Sequence, residues 1–111
     1  MADERLMEVL KALGLPVARL SYEGGADTFI TYRVLNGSAD AFADDAGNAE
    51  GWTYRIDVYS RRDYTEILRQ LRAGLREAGF YNIQTGPEMY EKDTEYYHMP
   101  VEADYMREDE E

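Results

Sequence analysis

The chain of 111 residues predicts a small α+β domain, and three stretches carry that prediction. Trp52, Tyr54, Ile56 and Val58 alternate with Thr53, Arg55, Asp57 and Tyr59, the period of two expected of a strand with one buried face. Tyr64, Ile67, Leu68, Leu71, Leu75 and Ala78 recur at helical spacing immediately afterwards. A second alternating run, Tyr97, Met99, Val101, Ala103 and Tyr105, closes the chain. The expected order is α-β-β-β-α-β: about four strands in a mostly antiparallel or mixed sheet, with two helices packed on it.

In chain order, residues 3–13 form the first helix, with Leu6, Leu10 and Leu13 on one side and Glu4, Arg5, Glu8 and Lys11 on the other. Gly14 and Pro16 stop it. Val17 to Tyr22 is a first strand and Thr28 to Leu35 a second, joined through Gly24-Gly25 as a hairpin. Asn36 to Gly51 is polar, small and acidic apart from Phe42, and reads as a mobile arm between strands. The strand from Trp52 ends at Ser60-Arg61-Arg62. Asp63, three residues before Glu66, has the spacing of a capping box for the main helix. Gly79 is placed as its left-handed C′ residue, with Phe80 folding back on the last turn. Phe80 to Gln84 is a short strand, Thr85-Gly86-Pro87 a turn, and Glu91 to Glu95 a polar turn before the last strand, from about Tyr96 to Met106. Pro100 predicts an edge position or a bulge for that strand. Arg107 to Glu111 reads as a frayed tail. The whole is one domain, 1–111, large enough for a core without staples. Trp52, Tyr54, Ile56 and Val58 should pack on Ile67, Leu71 and Leu75, with Leu6, Leu10 and Leu13 closing the far side.

Composition narrows the function. There is no cysteine, hence no disulfide and no thiol chemistry. No apolar run approaches the roughly 18 residues of a membrane span, and Asp3, Glu4 and Arg5 interrupt any signal peptide, so a soluble intracellular protein is expected. The net charge is −11, but residues 36–51 hold four acids and no base, and residues 91–111 hold nine acids against two bases. The remainder is nearly balanced. General affinity for nucleic-acid phosphate needs a basic surface and is disfavoured.

Catalytic patterns are weak. Glu91, Asp93, Glu95 and His98 form the densest polar set, and carboxylates beside an imidazole suit several metals. Yet there is one histidine, no H-E-x-x-H and no calcium-loop spacing; acids in a turn are ordinarily solvated. Ser21, Ser38 and Ser60 lie in no nucleophile-elbow context, and Gly24-Gly25 is no phosphate loop. Ten tyrosines suit strands and interfaces, since tyrosine offers large area with a polar tip. An interface is also suggested by Arg69, Arg72 and Arg76, which share one stripe of the main helix away from its apolar face. The acids that would answer them in a head-to-tail contact between subunits are those of the loop from Asp40 to Glu50, Asp44 and Asp45 beside Phe42 among them, and of the tail from Glu102 to Glu111.

Several segments, in this order and spacing, resemble the tail completion proteins of tailed bacteriophages and prophages, also called tail-to-head joining or tail terminator proteins. They are Asp27-Thr28 through Tyr32, Phe42-Ala43-Asp44-Asp45, Asp63-Tyr64, Leu75…Ala78-Gly79-Phe80, and Tyr90-Glu91-Lys92-Asp93-Thr94-Glu95-Tyr96-Tyr97-His98. The resemblance spans Leu6 to Tyr105. It implies a structural virion subunit that forms a ring, six-fold in most members, on the head-proximal end of the tail tube and joins tail to head connector. It implies no enzymatic activity, no cofactor, no membrane, and DNA only as cargo passing through; host cytoplasm would be the site of assembly. Tyr90, Asp93, Thr94, Tyr97 and His98 would then be structural. Pro100 and the acidic end depart from the pattern. Two other readings stand beside it: a small acidic inhibitor that imitates the charge of DNA, and, more remotely, a metal-dependent hydrolase using Glu91, Asp93 and His98.

Overall fold

A computed structural model describes residues 2–38 and 49–108. Among these residues two helices cover one face of a six-stranded mixed sheet, an α+β fold. Helix α1 spans Ala2–Lys11, and strands β1, Val17–Arg19, β2, Thr28–Ser38, and β3, Ala49–Ser60, follow. Helix α2, Thr65–Glu77, leads to β4, Tyr81–Thr85, β5, Met89–Glu91, and β6, Tyr96–Glu108. The sheet order is β1-β2-β3-β6-β4, with β5 also on β6. The count exceeds the expected four by two: β4 is the short strand expected at Phe80 to Gln84 beyond that order, and β5 has three residues, all exposed, too few to show a period.

The predicted core strand is the centre of this sheet. Tyr54, Ile56 and Val58 are buried, flanked in register by Val34, Tyr32 and Ile30 on β2 and by Ala103, Val101 and Met99 on β6. Leu71 and Leu75 of α2 and Leu6, Val9 and Leu10 of α1 pack on this same face, in one cluster with Phe80. The two helices lie side by side, closest where Gly74 meets Val9. Leu13, Trp52 and Ile67 pack against the cluster but stay partly exposed.

The ends of α2 divide the sequence expectation. Gly79 has φ 98° as C′, Phe80 N donates to Leu75 O at 2.9 Å, and Gly79 N to Arg76 O at 3.1 Å, a Schellman ending. The capping box is not formed. Asp63 accepts from Thr65 N and Oγ1, while Glu66 turns to Arg69 and Gln70, so that a cationic guanidinium takes the place of a neutral backbone N–H as its main partner.

Three further expectations are corrected. First, β1 and β2 are parallel, not a hairpin: Val17 pairs with Ile30 and Arg19 with Tyr32. The chain leaves β1 at Leu20, which has φ 71°, and residues 20–27 carry it back to the same end of the sheet. Tyr22 stacks on Phe29 over that loop and leaves room for no side chain at Gly24, whose Cβ would lie 2.0 Å from the Tyr22 hydroxyl. Second, the strand bearing Pro100 is interior. Pro100 faces Asp57 of β3, and its carbonyl accepts from Gly86 N at 2.8 Å. In an antiparallel ladder a residue's N and O point to the same neighbour, so the missing donor faces Gly86 to Glu88, where β4 has ended and β5 has not begun. Third, the ends of the expected arm and the start of the expected tail are strand: Ser38 pairs with Gly51, and Glu108 with Ala49. Phe42, Asp44 and Asp45 lie outside the described residues, as do 109–111.

Candidate interaction surface

The face of the sheet opposite the helices is built by the other half of each alternation. Phe29, Thr31 and Arg33 of β2 stand beside Tyr59, Asp57 and Arg55 of β3, and these beside His98, Pro100 and Glu102 of β6. One end is aromatic. Phe29 stacks between Tyr22 (4.3 Å) and Tyr59 (4.7 Å), Tyr96 meets it edge-on at 5.2 Å, and Tyr59 lies flat on His98 at 4.2 Å. With Leu20 and Thr31 the rings of Tyr22, Phe29, Tyr59 and Tyr96 line a shallow cavity of about 280 Å³. The cavity floor is latched from three sides. Tyr96 Oη donates to Ala26 O at 2.6 Å, the Arg61 guanidinium lies 4.1 Å over the Tyr96 ring, and Arg61 Nε donates to Thr94 O at 2.9 Å. Arg61 and Arg62 both pair with Asp27.

Beside the aromatic end sits a charged triplet. Asp57, only 7% exposed, receives His98 Nε2 at 2.7 Å and Arg55 Nε at 2.9 Å on the same carboxylate oxygen. Burial pushes the Asp57 carboxyl up, but the bonds from His98 and Arg55 and the Arg55 charge outweigh it and hold the group below the ordinary carboxylate value. The same burial, with the Asp57 charge nearby, pushes the Tyr59 phenol up.

This arrangement orients side chains: the His98 Nε2 is engaged by the Asp57 carboxylate. Ser60 lies on the helix-covered side, fully buried, with its hydroxyl engaged by Thr28 and Arg62. The metal set considered from sequence does not assemble: His98 takes Asp57 as its partner, Glu91 accepts from Thr94 Oγ1 at 2.9 Å, and Asp93 and Glu95 are exposed in the β5–β6 turn. No group of three or more such ligands occurs among the described residues.

The remaining predicted positions are distributed. Tyr90 and Tyr97 face each other across the β5–β6 hairpin at 4.9 Å, with Tyr64 6.3 Å from Tyr97. Tyr64 donates its hydroxyl hydrogen to Glu88, whose carboxylate pushes the phenol up to about 12. Thr94 holds the turn, through its hydroxyl and through the carbonyl that Arg61 uses. The arginine stripe is partly engaged within the subunit. Arg69 binds Glu66, holding that carboxyl down to about 2, and Arg72 donates to Thr85 Oγ1 at 2.8 Å, while Arg76 is exposed. Arg55 and Asp57 were not singled out as site residues from sequence. Their alternation marked a second face of the strand, but not that His98 would stand beside them across a ladder joining β3 to β6.

No protein-family model and no curated protein sequence matches the chain. Among solved structures, its fold is similar to a chain in the virion of a native gene transfer agent (GTA) particle, with a TM-score of 0.55 over 93% of this chain and 91% of that chain at 12% sequence identity.

Proposed function

We propose that the chain is a structural virion subunit of the tail completion type. It assembles into a ring on the head-proximal end of a phage-like tail tube and joins the tube to the head connector, without catalysis or cofactor. The observation that carries this reading is the likeness in fold to a chain of a gene transfer agent virion over 93% of this chain and 91% of that one. The sequence resemblance to tail completion proteins points the same way, and a helix-free sheet face rich in rings and paired charges is suited to contact rather than turnover. Its partners are then copies of itself, the tube protein and the connector, with DNA only passing through the channel. The test is reconstitution. Mixed with a tail-tube protein from the same genome, the chain should cap tubes at one end as a ring visible by electron microscopy. Tubes that grow uncapped, with the chain left free in solution, would end this reading.

A further inference from the structure

The two sides of the sheet end differently. On one side β1 covers β2 only from Ile30 to Tyr32, and Leu20 N adds a last bond to Tyr32 O at 2.9 Å. From Arg33 to Ser38, β2 runs on, with one register shift between Val34 and Asn36, and has no strand along its outer edge among the described residues. On the other side β4 is the last strand in the order. It reads Tyr-Asn-Ile-Gln-Thr, five uncharged residues in a chain that is 32% charged, with only Ile83 not exposed. Edges are ordinarily guarded by lysine, inward charge, proline or brevity. β1 is guarded by brevity; β4 has only the irregularity at Asn82, φ 54°.

Strand direction indicates what fits this edge. With β2 taken as pointing up, β3 points down, β6 up and β4 down. A second copy placed alongside in the same orientation brings an upward β2 against a downward β4. The ladder is then antiparallel, like every contact in the sheet except β1–β2, and all helices stay on one side. A two-fold β4–β4 contact would also be antiparallel. It would, however, set the two α2 helices side by side, because α2 flanks β4 through Arg72 and Thr85. That arrangement opposes Arg69, Arg72 and Arg76 to their own copies. The head-to-tail contact instead brings these arginines toward the neighbour's α1, which leads into β1 and exposes Glu4 and Glu8.

We propose that β4 of one copy pairs antiparallel with the uncovered stretch of β2, Arg33 to Ser38, of the next, so that one sheet runs on from subunit to subunit. The proposal rests on the reading of the chain as a ring-forming subunit and says which edges join. A heterologous contact of this kind repeats until it closes.

The chain has no cysteine, so introduced thiols report without background. Gln84 faces the helix-free side through its pairing with Glu102, as Arg33 does through Arg55. Residues opposed across such a ladder have Cβ atoms about 4.5–5.5 Å apart, near the reach of a disulfide. Gln84→Cys mixed with Arg33→Cys or Asn36→Cys, the latter on the same face through its pairing with Thr53, should give, under mild oxidation, a covalent mixed dimer severalfold more abundant than dimers of any single variant. The double variant Asn36→Cys/Gln84→Cys should give a covalent ladder that stops at the ring number. Self-dimers of Gln84→Cys in excess of mixed ones would overturn the proposal in favour of the two-fold contact. Oligomers by native mass spectrometry with no mixed disulfide would overturn the edge pairing and leave the ring reading standing. A protein that stays monomeric in all these mixtures, and does not cap tubes, would overturn both.

Discussion

Gly74 sits in the middle of α2, where glycine costs about 1 kcal/mol relative to alanine. On propensity alone, Gly74→Ala should stabilise the protein. Packing opposes this: a Cβ built there lies 3.1 Å from Val9 Cγ1 of α1, several tenths of an ångström inside ordinary carbon contact. Val9 is 9% exposed and β-branched, so its rotamer is nearly fixed on a helix and it cannot swing aside. The helices must separate instead, loosening a core in which Leu6, Leu10, Leu71 and Leu75 are fully buried. Overpacking of this kind costs about 1–3 kcal/mol, so the single change should come out neutral to destabilising by about 2 kcal/mol. In a Val9→Ala background the obstruction is gone, and the same Gly74→Ala step should stabilise by about 1 kcal/mol. The coupling between the two sites is then on the order of 1–3 kcal/mol, well above the few tenths expected of independent positions. Equilibrium urea unfolding of the four proteins, monitored by far-UV dichroism, measures it. If Gly74→Ala stabilises the parent by the full propensity difference and the two changes simply add, the helix contact does not explain the glycine.

Other outcomes follow from the same coordinates. Leu71→Ala removes a fully buried side chain and should cost about 2–5 kcal/mol; a denaturation midpoint that barely moves would show that this face is not packed. Asp57→Asn keeps the shape of the triplet but loses charge-assisted bonds, at a cost on the order of 1–3 kcal/mol near neutral pH. Because the folded Asp57 titrates below its ordinary value of 3.8, its contribution is complete above that pH and is lost as pH falls through the folded value. The penalty of the variant should therefore shrink in acid below about pH 4, and a pH-independent penalty would contradict the assignment. Replacing Arg69, Arg72 and Arg76 together by glutamate should leave the monomer folded and weaken self-association, most at low salt, where screening is least. Sedimentation velocity with unchanged oligomers at low salt would exclude a role for the stripe.

What could be foreseen from sequence was local. β3, α2 and the Gly79-Phe80 ending follow from patterns contained within a few residues of each other, and the α+β class follows from them. Strand direction is not local. Nothing between Arg19 and Thr28 distinguishes a turn that folds β2 back antiparallel from a loop that returns it to the start, because Tyr22, Gly24 and Phe29 decide that by packing. Pro100 misled for a related reason: the break between β4 and β5 that accommodates it belongs to another part of the chain. The triplet of Arg55, Asp57 and His98 was invisible in the same way. Each residue was seen, but only the β3–β6 ladder brings the imidazole to the carboxylate.

That ladder also has a consequence in time. The centre of the sheet joins β3 to the last strand of the chain, with pairs running from Ser60 and Tyr97 to Ala49 and Glu108. Contacts so distant in sequence form late, since their loops must close before the ladder rewards them. During synthesis β2 and β3 can meet while the inner edge of β3 waits, bare, for a partner still inside the ribosome. Refolding should accordingly take milliseconds or longer, as in other proteins dominated by non-local pairing, and a microsecond relaxation would be inconsistent with this order of events. A chain stalled before Tyr96 would display an apolar strand with one side unclaimed, and the cell would have to shield it until translation resumed.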